Sequence, residues 1–126
     1  MTERAVLILA FAAALVLAGC KKSVEAPATT GVCYAMAFPA DGPPKFNVVA
    51  SGIRDMEHCA AELEGMRIRF LSLGGSQREV AGAYNGSFLF LDNTGVFTAN
   101  NFDGVRYPFL VRTEDGHLVP PGAAQP

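Results

Sequence analysis

Apolar positions in this chain keep two different periods. From residue 53 they fall at Ile53, Met56, Cys59, Ala60, Leu63, Met66 and Phe70. Steps of three and four place such residues on one side of a helix. Asp55, Glu57, Glu62, Glu64 and Arg69 fall off that side. Ser51 suits the N-cap, with acids near the start and Arg67 and Arg69 near the end, where the helix dipole favours each sign. Gly74-Gly75 stops the pattern, so the spacing predicts a helix over residues 53–72. Gly65 lies inside it, at a cost of about 1 kcal/mol relative to Ala, and marks a kink or a close approach to a strand.

Past residue 79 the period becomes two. Residues 79–84 and 87–91 flank Asn85-Gly86, the pair that a type I′ hairpin turn prefers because both central residues take positive φ. Asp92-Asn93-Thr94-Gly95, residues 100–104 and Glu114-Asp115-Gly116 supply further turns. They delimit strands at 96–99, 105–112 and 117–119. In 105–112, Val105, Tyr107, Phe109 and Val111 alternate with Arg106, Pro108, Leu110 and Arg112. Pro108 has no N–H to donate, which puts that strand at an edge or in a bulge. Ahead of the helix, residues 33–38 read as a strand closed by the proline-rich turn 39–44, and 46–50 as either a second strand or the lead into the helix. The prediction is an α+β fold, one amphipathic helix packed on an antiparallel meander in a two-layer sandwich. A curled half-barrel around the same helix is the alternative.

Composition narrows the rest. The chain has 126 residues and a net charge of −2, with Lys and Arg scattered; nothing forms the basic stripe of a nucleic-acid protein. Residues 20–31, in which KKSVEAPATTG follows Cys20, read as a flexible tether, and 120–126 (PPGAAQP) as a tail unable to build a core. One small domain, 32–119, remains between them.

The amino terminus carries the most specific motif. Charged Glu3 and Arg4 precede an apolar run over residues 5–16, and Leu17-Ala18-Gly19-Cys20 follows. The run is shorter than the roughly 20 residues a membrane span needs and fits a secretory signal over 1–19. The Leu-Ala-Gly-Cys ending resembles the lipobox of bacterial lipoproteins. That resemblance implies cleavage before Cys20, diacylglycerol on its thiol and often a further acyl chain on its amine. Several acyl chains at about 0.8 kcal/mol per buried methylene would hold the protein firmly on a membrane. Lys21, in place of the Asp associated with inner-membrane retention, implies the outer membrane facing the periplasm. Removing Glu3 and Arg4 together leaves the charge at −2. With Cys20 acylated, Cys33 and Cys59 remain as one pair in an oxidising compartment, most simply a disulfide. Its loop of about 27 residues would contribute about 3–4 kcal/mol. The competing reading is a nucleophilic Cys59 beside His58, but adjacent helix residues point about 100° apart.

Candidate chemistry is sparse. Phe88 and Phe90 fall on one side of 87–91 and Leu89 and Leu91 on the other. One helix covers one sheet face. We therefore expect the aromatic residues mostly beneath the helix, with Leu89, Leu91 and Leu110 in an exposed partner-binding patch or under the 39–45 loop. Arg106 and Arg112 are expected on one outward face, near Arg78 and His117, able to hold an anion. His117 with Asp115 is the one acid–base pair a small envelope hydrolase could use. The His and Cys spacing matches no metal site, Gly74-Gly75-Ser76 precedes a strand rather than a phosphate-binding helix, and no cofactor is expected. The sequence points to a lipid-anchored accessory or binding module engaging an envelope protein or the cell wall. An envelope hydrolase and an inert spacer are the alternatives.

Overall fold

Tight turns pair the period-two segments in chain order. A computed structural model describes residues 24–75 and 79–123. Its elements are β1 (Cys33–Ala37), β2 (Lys45–Ala50), α1 (Met56–Ser72), β3 (Val80–Tyr84), β4 (Ser87–Leu91), β5 (Gly95–Ala99), β6 (Tyr107–Arg112) and β7 (Leu118–Val119). They form one antiparallel sheet in the order β2-β1-β3-β4-β5-β6-β7, with α1 packed against it. At the β3–β4 turn Asn85 has φ 48° and Gly86 φ 83°, the left-handed pair that a two-residue hairpin requires. Residues 46–50 belong to a strand, not to the helix lead. Because α1 links β2 to β3 while β1 lies between them, the helix crosses the sheet instead of extending the meander.

The helix begins later than its apolar spacing suggests. Asp55, not Ser51, is the N-cap: its Oδ1 accepts the His58 N–H at 2.8 Å. Ile53 is held outside the helix from both sides, donating its N–H to the Gly31 carbonyl at 2.8 Å and accepting the Tyr84 hydroxyl at 2.6 Å. A residue so engaged cannot join the first turn. Cys59, on the buried side of α1, is bonded to Cys33 at the start of β1 with an S–S distance of 2.02 Å, so the helix is riveted to the strand next to the β2 edge. The close approach expected at Gly65 occurs at Gly82 of β3 instead. A Cβ there would collide with the Tyr34 carbonyl oxygen and stand 2.6 Å from Leu63 Cδ1, whereas one on Gly65 would meet open space.

Two apolar clusters lie on opposite faces of the sheet. Beneath α1, Leu63 and Ala60 meet Leu89, Leu91, Val96 and Leu110. On the other face, Phe88, Phe90, Met36, Ala81 and Ala99 are buried under Val24, Ala26, Phe46, Phe97 and Phe102. The aromatic residues Phe88 and Phe90 therefore sit on the face away from the helix, contrary to expectation, and Phe102 lies over them with centroids at 5.6 and 5.8 Å. Chain expected to be tether supplies part of the lid. Val24 and Ala26 pack on this cluster, the Gly86 N–H reaches the Pro27 carbonyl at 3.0 Å, and the Gly31 N–H reaches Asn85 Oδ1 at 2.8 Å. Residues 24–31, expected to be tether, thus contribute to the packed structure through Val24, Ala26, Pro27 and Gly31.

Candidate functional site

The expected leucine patch does not exist. Leu89 and Leu91 are 0% exposed and Leu110 is 7% exposed, all in the core under α1. The helix covers the leucine side of β4 because Gly82 lets Leu63 close onto the sheet there.

Arg106 and Arg112 are likewise not brought together. Between β5 and β6 the register passes from Val96↔Leu110 to Phe97↔Pro108, leaving Phe109 as an extra residue. A bulge of one residue reverses the alternation on either side of it. Arg106 consequently lies over the Phe90 ring, 3.6 Å from its centroid, and pairs with Glu79 at 3.1 Å on the aromatic face. Arg112 points to the helix face. Pro108, with no N–H for the ladder, sits at that bulge, and β7 pairs only with Val111 and Arg112 beyond it.

Arg112 instead completes an interior ion cluster. Its Nη1 donates to Glu64 Oε2 at 2.6 Å and to the Gly116 carbonyl at 3.0 Å, and its Nη2 donates to the Asp92 carbonyl at 2.9 Å. Arg67 Nε holds the other Glu64 oxygen at 2.6 Å. The side chains of Glu64, Arg67 and Arg112 are 12%, 10% and 13% exposed, so Glu64 is not on the solvent side of α1 as its spacing suggests. Burial pushes the Glu64 carboxyl up, but the hydrogen bonds and charges of Arg112 and Arg67 outweigh it and hold the group below its ordinary range. Asp92 is also held low. Burial opposes this, while hydrogen bonds from Thr94 and the Gly95 N–H, together with the Arg112 charge, prevail. This cluster ties α1 to β6 and to the β4–β5 turn; both terminal nitrogens of Arg112 are engaged in it, while its buried Nε has no hydrogen-bond partner.

The two histidines lie at the surface. His117 Nδ1 is 2.8 Å from Asp115 Oδ2, with side chains 76% and 69% exposed. Hydrogen bonds from Thr113 and His117 hold Asp115 low, as suits a turn carboxylate. His58 Nδ1 lies 2.6 Å from the Asp55 cap and its Nε2 lies 2.9 Å from Arg54 Nη2. Both ring nitrogens are thereby engaged at the helix start. Cys59 is in the disulfide and so is no thiol nucleophile. Among the described residues no group of three or more His, Cys, Asp or Glu is placed to hold a metal ion. No helix among them is long and apolar enough to cross a membrane. Cys20 and Arg78 lie outside the described residues.

One concave surface was not foreseen. A groove of about 500 Å³ runs between the C-terminal half of α1 and the β1–β2 pair, lined by Ala35, Val49, Val80, Met66, Phe70 and Arg69, with Asn47 at β2. Its size falls within the range of small-ligand pockets. Arg69, expected off the apolar side of α1, borders it: three residues from Met66 and next to Phe70, it lines the groove with both. Facing them, Ala35 and Ala37 are too short to fill the space, so Phe70 remains 41% exposed although it continues the apolar helix pattern. The available signal was this pairing of small strand residues with an apolar helix end, legible only once β1 is known to lie under that end. No family model, curated protein or solved structure matches the chain.

Proposed function

We propose that this protein is a lipid-anchored envelope protein whose domain serves as a non-enzymatic binding module. The observation that carries the reading is the buried Cys33–Cys59 bridge. Disulfides of this kind persist in oxidising compartments. With two of the three cysteines so joined, the remaining one is the Cys20 that ends Leu17-Ala18-Gly19-Cys20. A secretory address and a single spare thiol at a lipobox-like position support each other. The groove beside α1 supports a binding role, since its lining among the described residues is mostly apolar, with Arg69 and Asn47 as its polar side chains. The exposed His117–Asp115 pair lies apart from that lining.

The test is metabolic labelling with an alkyne-bearing palmitate, followed by membrane fractionation and intact mass measurement. The expected result is label on the protein, recovery with membranes, and a mass that starts at a diacylated Cys20. Cys20→Ala removes the label and releases the protein from that fraction. An unlabelled protein that retains Met1 refutes the anchored reading.

A further inference from the structure

We propose that the groove between α1 and the β1–β2 pair binds a single-chain amphiphile, its apolar tail between Met66, Phe70, Val49 and Ala35 and its anionic head on Arg69. This deepens the binding-module reading and rests on it. The charge argument is specific. Among the described residues Arg54, Arg67, Arg106 and Arg112 each pair with a carboxylate, whereas Arg69 pairs with none. Among the described residues that line the groove, Arg69 is also the one charged side chain and Asn47 the one side-chain amide. An apolar trough with one uncompensated guanidinium at its side fits a ligand that is apolar along its length and negative at one end. Carboxylate and phosphate heads share that chemistry.

An added peptide strand is the less favoured occupant. β2 is an outer strand of the sheet, but it carries Lys45 and a bulge. The register jumps from Cys33↔Ala50 to Tyr34↔Val48, leaving Val49 as the extra residue. Lysines and bulges are the features by which edge strands resist pairing with another chain. The bulge also delivers Val49 to the helix side, where it packs against the core beside the groove.

The experiment uses the full chain in the membranes of expressing cells. Three clickable diazirine probes with the same sixteen-carbon tail are compared: a fatty acid, an alkyl monophosphate and a fatty alcohol. Adducts are mapped by peptide mass spectrometry. Both anionic probes, or whichever head the groove prefers, are expected to mark the peptides holding Met66–Phe70 and β2. Arg69→Gln lowers their labelling about tenfold, the effect of losing a charge-assisted hydrogen bond, and leaves the alcohol unchanged; Arg69→Lys restores part of the loss. Ala35→Leu, which fills the groove, removes labelling by all three. If that variant does not fold, the Arg69 substitutions decide alone. Adducts spread over the exposed Leu73, Val105 and Tyr107 in place of the groove overturn the proposal. So does an Arg69→Gln variant with a lower melting temperature and unchanged labelling, because Arg69 would then serve only the helix dipole. Adducts from an added apolar peptide in place of the amphiphiles also overturn it. An acylated Cys20 without groove adducts sinks this proposal alone; groove adducts with an unmodified Cys20 sink the anchor alone.

Discussion

Glu64→Gln is the most informative single perturbation of this fold. Glu64 faces two guanidinium groups at 2.6 Å each, and all three side chains are close to nine-tenths buried. The substitution preserves shape and one acceptor oxygen but leaves Arg67 and Arg112 without a counter-charge. Removing one partner of a buried ion pair costs about 3–5 kcal/mol. The retained amide oxygen places the expected loss near the lower end, about 3 kcal/mol. That is a large share of the roughly 5–15 kcal/mol that holds a domain together. It corresponds to a fall in melting temperature of about 12–24 °C for a domain of this size. Thermal and urea unfolding of the oxidised protein, followed by circular dichroism, read it directly. The sign of the pH dependence is a second check. The folded Glu64 carboxyl titrates below its ordinary 4.5, so as pH falls the unfolded chain takes up the proton first. Its stabilisation is complete above pH 4.5 and is lost as pH drops through the folded value. The deficit of Glu64→Gln relative to the parent should therefore be full at neutral pH and shrink in acid. A loss under about 0.5 kcal/mol, the size typical of exposed pairs, refutes the claim that this cluster is an interior one.

Three further outcomes follow from the same structure. Gly65→Ala should stabilise by about 0.5–1 kcal/mol, since its Cβ meets open space, while Gly82→Ala should destabilise by about 1–3 kcal/mol or more through collision with the Tyr34 carbonyl. Paired melting curves that move the same way for both would contradict this. Reduction of the Cys33–Cys59 bridge, which spans a sequence separation of 26, should remove about 3.5 kcal/mol in the chain-entropy model. Denaturant midpoints with and without dithiothreitol measure it, and coincident midpoints would speak against a staple. Leu89→Asp should abolish cooperative unfolding rather than affect a surface, because Leu89 is wholly buried. A well-folded Leu89→Asp protein would restore the exposed-patch reading.

Local chemistry made the hairpins legible. Asn85-Gly86 takes the positive φ pair its residue types favour, and the change of apolar period marks where the helix gives way to strands. The site was less legible, and the reasons are particular. Arg106 and Arg112 share a parity that places them together, but the extra residue at Phe109 reverses it between them. Glu64 and Arg67 look like solvent-facing helix charges until Arg112, 48 residues beyond Glu64 in the chain, reaches the same place. Phe70 continues the apolar stripe yet stays partly exposed, because the strand residues opposite it are alanines.

Sequence alone determined the period, sign and turn chemistry of each element, because φ/ψ preference, apolar spacing and cap chemistry act over a few neighbours. It also supplied the lipobox-like motif, which is contiguous. Tertiary structure decided which faces those elements cover. The sheet's second face is closed by Val24, Ala26 and Phe102, arriving from opposite ends of the domain. The groove on the other side exists because α1 is longer than the bulk beneath it. Contacts of that kind depend on volumes and register summed over distant segments, and no short window of residues contains them.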